Sequence, residues 1–318
     1  MTIQILILIA GLALVVFGAD WLVDGASSIA RRTGLSEFVI GLTIVGFGTS
    51  CPELVVSLTG AFEGNADVAI GNVVGSNIFN TLLILGLTAV FVPVTITKEN
   101  KTRDIPIMAG VTLLMILCGM SHTLLGLGQA DRLSRLEGVV FLIVFAAYLW
   151  YCFKYNTGTE EGEEAKQKSV PVSILLVLAG LAGLIFGGKI FVNSATSIAH
   201  MLGVSDKFIA ITILAGGTSL PELATSVVAA VKGKGQLALG NILGSNVFNI
   251  LLILGASAVI CPLSFASMTL VDMGVVLLST ILVLVSAYSF KRDSMDRADG
   301  TVMILCYAAY MVWLFKNM

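Results

Sequence analysis

Apolar runs of membrane-spanning length follow one another along this chain, separated by short polar breaks. They predict ten helices, at roughly residues 3–30, 36–62, 67–90, 104–121, 133–154, 171–200, 206–231, 236–261, 269–290 and 299–316, each suited to a hydrocarbon core of roughly 30 Å. Polar side chains also return inside some of these runs at fixed places. The one long polar stretch, residues 156–170 (NTGTEEGEEAKQKSV), is acidic and ends at Pro171. It reads as a flexible linker on the cytoplasmic side. The expected organisation is a first five-helix repeat over 1–155 and a second, inverted one over 171–318.

Composition agrees with a polytopic membrane protein. The chain is 57% hydrophobic and 12% charged, with a mean hydropathy of +0.97, against about 25% charged residues in a soluble domain. Five scattered cysteines without a CxxC pair read as small buried hydrophobes, and two distant histidines exclude an obvious zinc site. The first apolar run lacks a charged n-region and continues past signal-peptide length, so it is expected to be a retained helix.

The polar interruptions repeat. GTSCPE (Gly48 to Glu53) returns as GTSLPE (Gly217 to Glu222), and GNVVGSNIFN (Gly71 to Asn80) returns as GNILGSNVFN (Gly240 to Asn249), every position offset by 169 residues. The match runs without a gap from Gly11/Gly180 to Pro93/Pro262, beyond which the halves diverge. An odd number of helices per half makes the second copy enter the membrane upside down. Lys and Arg positions support this independently: with the N-terminus outside, thirteen fall in cytoplasmic loops and four outside. Both termini are expected outside. Inverted repeats with helices broken at the midplane are a recurring transporter architecture.

Pro52 lacks an N–H and its ring clashes with the Gly48 carbonyl; Pro221 does the same to Gly217. Each helix should therefore break beside Thr49 or Thr218, leaving backbone oxygens that hydrocarbon cannot satisfy. Glu53 and Glu222 follow one turn later, and an intramembrane carboxylate is costly and usually functional. If inversion brings them to about 5 Å, their repulsion is roughly 3 kcal/mol at an effective dielectric of 20, favouring a proton or a cation. Carboxylates, carbonyls and hydroxyls make a hard oxygen site suited to calcium. Asn72, Ser76 and Asn80 recur at i, i+4 and i+8, as do Asn241, Ser245 and Asn249. That spacing puts each trio on one helical face and leaves Asn77 and Asn246 off it. Gly71/Gly75 and Gly240/Gly244 form GxxxG steps for close helix approach.

With these two motifs in duplicate and nearly the whole chain matching, the sequence resembles the sodium/calcium exchanger branch of the calcium/cation antiporter superfamily, in its prokaryotic form. The resemblance implies an all-α membrane protein of ten helices in two inverted five-helix repeats, working by alternating access. It implies Glu53 and Glu222 as shared carboxylates, and Thr49 and Thr218 as calcium ligands through their carbonyls. Ser50, Ser76, Ser219, Ser245 and the carbonyls of Gly46 and Ala215 would serve flanking sodium sites, with Asn80 and Asn249 completing the centre. Relatives often carry an Asp at one of these last two positions; this chain has Asn at both, which bears on site charge, proton participation and potassium dependence. No large cytoplasmic regulatory domain is expected.

Several of these residues have a competing reading. The Glu pair has a structural alternative as satisfied helix-end carboxylates, and the Ser and Asn ladders have one as interhelical glue. Asp20, Asp24 and Lys189 also sit in apolar runs; Asp20 and Lys189 are repeat equivalents and either pair or snorkel. Glu37 and Asp206 look like helix N-terminal charges. The leading function is Ca2+/Na+ exchange, with a proton-coupled Ca2+/cation exchanger as the alternative. A protease dyad and a channel are further options, and GxxxxGK[ST] is absent. The expected setting is a prokaryotic plasma membrane, with transported Ca2+ and Na+ (H+ left open), no cofactor, no enzymatic activity, no nucleic acid or nucleotide, and no obligatory protein partner beyond the lipid bilayer.

Overall fold

A computed structural model describes residues 1–155, 168–203, 215–288 and 293–317. The first helix, α1 (Thr2–Thr33), ends where Gly34 adopts a left-handed conformation (φ 69°), with Arg31 and Arg32 in its last turn facing the negative end of the helix dipole. It is followed by α2 (Glu37–Thr49), α3 (Cys51–Phe62), α4 (Ala66–Phe91), α5 (Asn100–Gly119), α6 (Arg135–Tyr155), α7 (Val170–Met201), α8 (Leu220–Val231), α9 (Gly235–Ile260), α10 (Leu270–Tyr288) and α11 (Arg297–Asn317). Among the described residues, eight helices are long and apolar enough to cross a membrane, or nine when the bent pair α2 and α3 is taken as one span. The count of ten is not reached, because the predicted span 206–231 lies partly outside the described residues and only α8 and a short turn, Ala215–Gly217, represent it. Residues 156–167 of the linker and Asp206 lie outside as well.

Contacts divide the chain into two units that cut across the repeat. The first comprises Met1–Pro52 and Cys152–Asn241, the second Glu53–Tyr151 and Ile242–Met318.

In the first unit α1 and α7 lie antiparallel in close contact. Gly11, Gly18 and Gly25 recur every seventh residue on α1, and a Cβ on any of them would meet α7 backbone: Phe191 N at 2.8 Å, Leu184 N at 2.8 Å and Ser173 O at 2.7 Å. Small residues are what permit such approach between membrane helices. The start of α9 is pressed equally hard on α2, with a hypothetical Cβ on Gly41 only 2.3 Å from Leu237 O and one on Gly240 2.2 Å from Phe38 O. Charges gather at the end of α1. Lys232 bonds Asp20 at 2.6 Å and Asp24 at 2.7 Å, Lys168 bonds Asp24 at 2.8 Å, and Lys234 bonds Glu37 at 2.8 Å. Asp20 thus pairs with Lys232 and not with its repeat equivalent Lys189, which is exposed on α7. Burial pulls the Lys232 ammonium down, but its hydrogen bonds to Asp20 and Asp24 outweigh this and hold it above its ordinary value.

In the second unit two strand pairs tie distant segments: β1 (Val94–Thr95) with β4 (Ser294–Met295), and β2 (Arg132–Leu133) with β3 (Leu263–Ser264), both antiparallel. The helices follow the same exchange. Gly86 of α4 faces Gly300 of α11, and Gly255 of α9 faces Gly138 of α6, each within about one Cβ of backbone oxygen. These contacts accompany a further stretch of the repeat. Past Pro93/Pro262 the repeat resumes with an offset of 162, pairing Arg135-Leu-Glu-Gly138 with Arg297-Ala-Asp-Gly300. Both segments cap their helices alike, Ser134 N–H donating to Glu137 at 2.7 Å and Asp296 N–H to Asp299 at 3.0 Å.

Candidate functional site

The first unit contains the helix break of each repeat. In α2 a π turn (Gly41–Val45) leads into Gly46–Thr49, and Ser50 leaves helical geometry (φ −82°, ψ 5°) before α3 departs at 49°. Pro52 stands two residues on, where its missing N–H and its ring force the interruption. In the second repeat the turn Ala215–Gly217 stops, Thr218 and Ser219 form a turn, and α8 starts with Pro221 in its first turn. Both breaks fall where the prolines place them.

Side chains from the two repeats meet there. Ser50 Oγ donates to Glu222 Oε1 at 2.9 Å, and Thr49 Oγ1 donates to Asn241 Oδ1 at 3.2 Å and to the Gly46 carbonyl at 3.4 Å. Asn241 Nδ2 in turn donates to Ser226 Oγ at 2.9 Å and to the Glu222 carbonyl at 3.5 Å. Glu222, Ser50, Thr49, Ser219 and Asn241 are all at most 3% exposed. Thr218 Oγ1 is buried without a hydrogen-bond partner among the described residues. Ser219 accepts Leu223 N–H at 3.1 Å through its carbonyl, and Ala215 opens the short turn.

The second unit holds Glu53, Ser76, Asn80, Ser245 and Asn249, all buried. Asn72 repeats the part of Asn241, donating to the Glu53 carbonyl at 3.0 Å and to Ser57 Oγ at 2.9 Å. A second amide network crosses the repeats. Asn249 Nδ2 donates to Asn77 Oδ1 at 3.0 Å, Asn77 Nδ2 to the Asn246 carbonyl at 3.3 Å, and Asn246 Nδ2 to Thr81 Oγ1 at 2.7 Å. Asn249 Oδ1 and both amide atoms of Asn80 are buried without a partner among the described residues. A buried polar atom left so costs about 1–3 kcal/mol. Oxygens of this kind are suited to a guest cation.

Two pairs of residues join these networks beyond those expected from sequence. Asn77 and Asn246, assigned off the shared face, lie inside the amide network. Both lie in regular helix just before the π turns Phe79–Ile84 and Phe248–Leu254, and the face they occupy, off that of each trio, meets the other repeat through the Asn77–Asn246 and Asn77–Asn249 hydrogen bonds. Ser57 and Ser226 were overlooked although a signal was present, since each stands four residues after its Glu in a repeated PExxxS pattern. The GxxxG step is used at Gly240, whereas a Cβ at Gly71 or Gly75 would meet nothing within 4 Å among the described residues. The segment equivalent to the partner of Gly240 lies within 204–214, outside them. Among the described residues no three His, Cys, Asp or Glu side chains cluster.

The pattern of the sodium/calcium exchanger protein family matches residues 3–154 and 172–316. The chain belongs to that family. Full-length relatives agree: CaxA of Alkalimonas amylolytica is 38% identical, covering 100% of both chains, and the sodium/calcium exchanger MaX1 of Methanosarcina acetivorans is 34% identical, covering 99% of both. Among solved structures, the sodium-calcium exchanger NCX_Mj soaked with Na+ and Ca2+ superposes with a TM-score of 0.84 at 32% identity, over 98% of each chain. As a sodium/calcium exchanger the protein is a multi-pass membrane cation antiporter and not an enzyme, and the family carries Na+ and Ca2+ without a cofactor.

Proposed function

We propose that this exchanger moves Ca2+ against Na+ by alternating access, with ten spans in two inverted five-helix repeats. The observation that carries the reading is the hydrogen bond from Ser50 to Glu222, which joins the broken helix of one repeat to the carboxylate of the other. The antiparallel packing of α1 on its repeat equivalent α7 and the crossed strand pairs support the inversion.

In this reading Glu53 and Glu222 carry the compensating charge for Ca2+, and the carbonyls of Thr49 and Thr218, beside the proline breaks, complete its shell. Ser50, Ser76, Ser219 and Ser245, with the carbonyls of Gly46 and Ala215, hold Na+. Asn80 and Asn249 contribute neutral amide oxygens. Hard cations with flexible coordination match this donor set. The setting is the plasma membrane, both termini outside, the basic ends of α1 and α8 inside.

Calcium uptake into proteoliposomes preloaded with Na+, with protonophore present, tests the coupling. Uptake is expected only under an outward Na+ gradient. Uptake that ignores Na+ and follows an imposed pH gradient without protonophore would replace this reading with proton-coupled exchange.

A further inference from the structure

We propose that a second site, in a cavity beside the end of α1, binds a phosphate-bearing anion. The cavity has a volume of about 210 Å³ and lies wholly within the first unit. Its charged walls are Arg31, Lys168, Lys232 and Lys234 against the single carboxylate of Asp24. Asp20 and Glu37 reach two of these cations from outside the lining. Counting them, four cations still face three carboxylates.

The surplus has an address. Arg31 Nε is buried and has no hydrogen-bond partner among the described residues, and neither has Ser27 Oγ, in a residue only 2% exposed. Ser27 and Arg31 are four residues apart on α1 and share a face. Two unpartnered donors beside three ammonium groups define an acceptor-rich, negatively charged ligand. A water molecule would satisfy the Ser27 hydroxyl but would leave the charge uncompensated. A cation is repelled. A tetrahedral phosphate group offers oxygens to the guanidinium, the hydroxyl and the ammoniums together, and guanidinium is the side chain best matched to it. The lysines remain 30–39% exposed, so the mouth is open to a ligand. Basic pockets between membrane helices take anionic lipid head groups, and free phosphate has the same chemistry.

Thermal unfolding of the full-length protein in detergent tests the site with two probes, inorganic phosphate and short-chain phosphatidylglycerol. Potassium chloride at matched ionic strength and short-chain phosphatidylcholine serve as controls. At least one anionic probe is expected to raise the midpoint saturably above its control, with half-saturation weakened tenfold or more in Arg31→Gln. Lys168→Gln, which leaves Asp24 still paired with Lys232, should weaken it several-fold and covers the case in which the arginine variant fails to fold. Lys316→Gln, on the exposed end of α11, should change nothing. A response to phosphate itself identifies a soluble anion, and a response to phosphatidylglycerol alone identifies a lipid head group. Absence of any response above the controls, or half-saturation unchanged in Lys168→Gln and in a folded Arg31→Gln, overturns the site.

Discussion

Glu53 and Glu222 are each held at the backbone by an asparagine that does not touch the charge. Asn241 and Asn72 bind the carbonyls of Glu222 and Glu53 and the serines four residues further on, fixing the first turn after each break. Charge and scaffold can therefore be separated by mutation. Glu222→Gln keeps an oxygen able to accept from Ser50 and should fold, yet lose Ca2+ transport, as should Glu53→Gln; near-normal flux in either variant would remove that residue from the transport machinery. Asn241→Ala removes its bonds to Thr49, Ser226 and the Glu222 carbonyl and should lower stability by about 1–3 kcal/mol, as for buried groups left unpartnered, read as a lower thermal midpoint. Asn80→Asp adds a charge where a buried amide has no partner among the described residues, and should alter the pH or ion dependence of flux. An unchanged profile in a folded Asn80→Asp protein would place Asn80 outside the ion path.

At the level of elements, glycines decide which helices approach and which merely pass. A Leu at Gly18 would drive its Cβ into backbone, 2.8 Å from Leu184 N and 2.9 Å from Gly180 O, and overpacking of that kind costs about 1–3 kcal/mol or more. Gly110→Ala on α5 meets nothing within 4 Å among the described residues and should instead gain about 0.5–1 kcal/mol from helix propensity. A higher midpoint for Gly18→Leu than for Gly110→Ala would contradict the packing of α1 on α7. This contrast also marks what the sequence revealed. Apolar runs of spanning length located the helices, and the two prolines located the breaks, because both effects are local. The π turns after Phe79 and Phe248 were hidden, since they arise from packing and carry no residue signature. The same holds for Lys232, whose choice of Asp20 and Asp24 depends on where α8 ends in space.

For the molecule as a whole, the sequence repeat and the packing unit are different divisions of one chain. Residues 1–52 pack with 152–241, and 53–151 pack with 242–318. A half made of residues 1–155 alone would leave the Gly11, Gly18 and Gly25 stripe of α1 without α7, β1 without β4, and Gly86 without Gly300. A half made of 171–318 would lose the complementary partners. Buried backbone faces and strand edges exposed in this way have no good solution in lipid. Joining the halves in one chain, by contrast, changes a loop-closure entropy that grows slowly with length, and Lys168, which bonds Asp24 at 2.8 Å, lies between the two. Residues 1–155 and 171–318 expressed as separate chains should therefore fail to give a monodisperse protein singly, and should co-purify when expressed together, restoring the Ca2+ flux of the intact chain. If either half alone were monodisperse and unfolded at the temperature of the intact chain, the repeat would be a domain in its own right and the exchanged contacts of α1, α4, α6 and α9 would be incidental to folding.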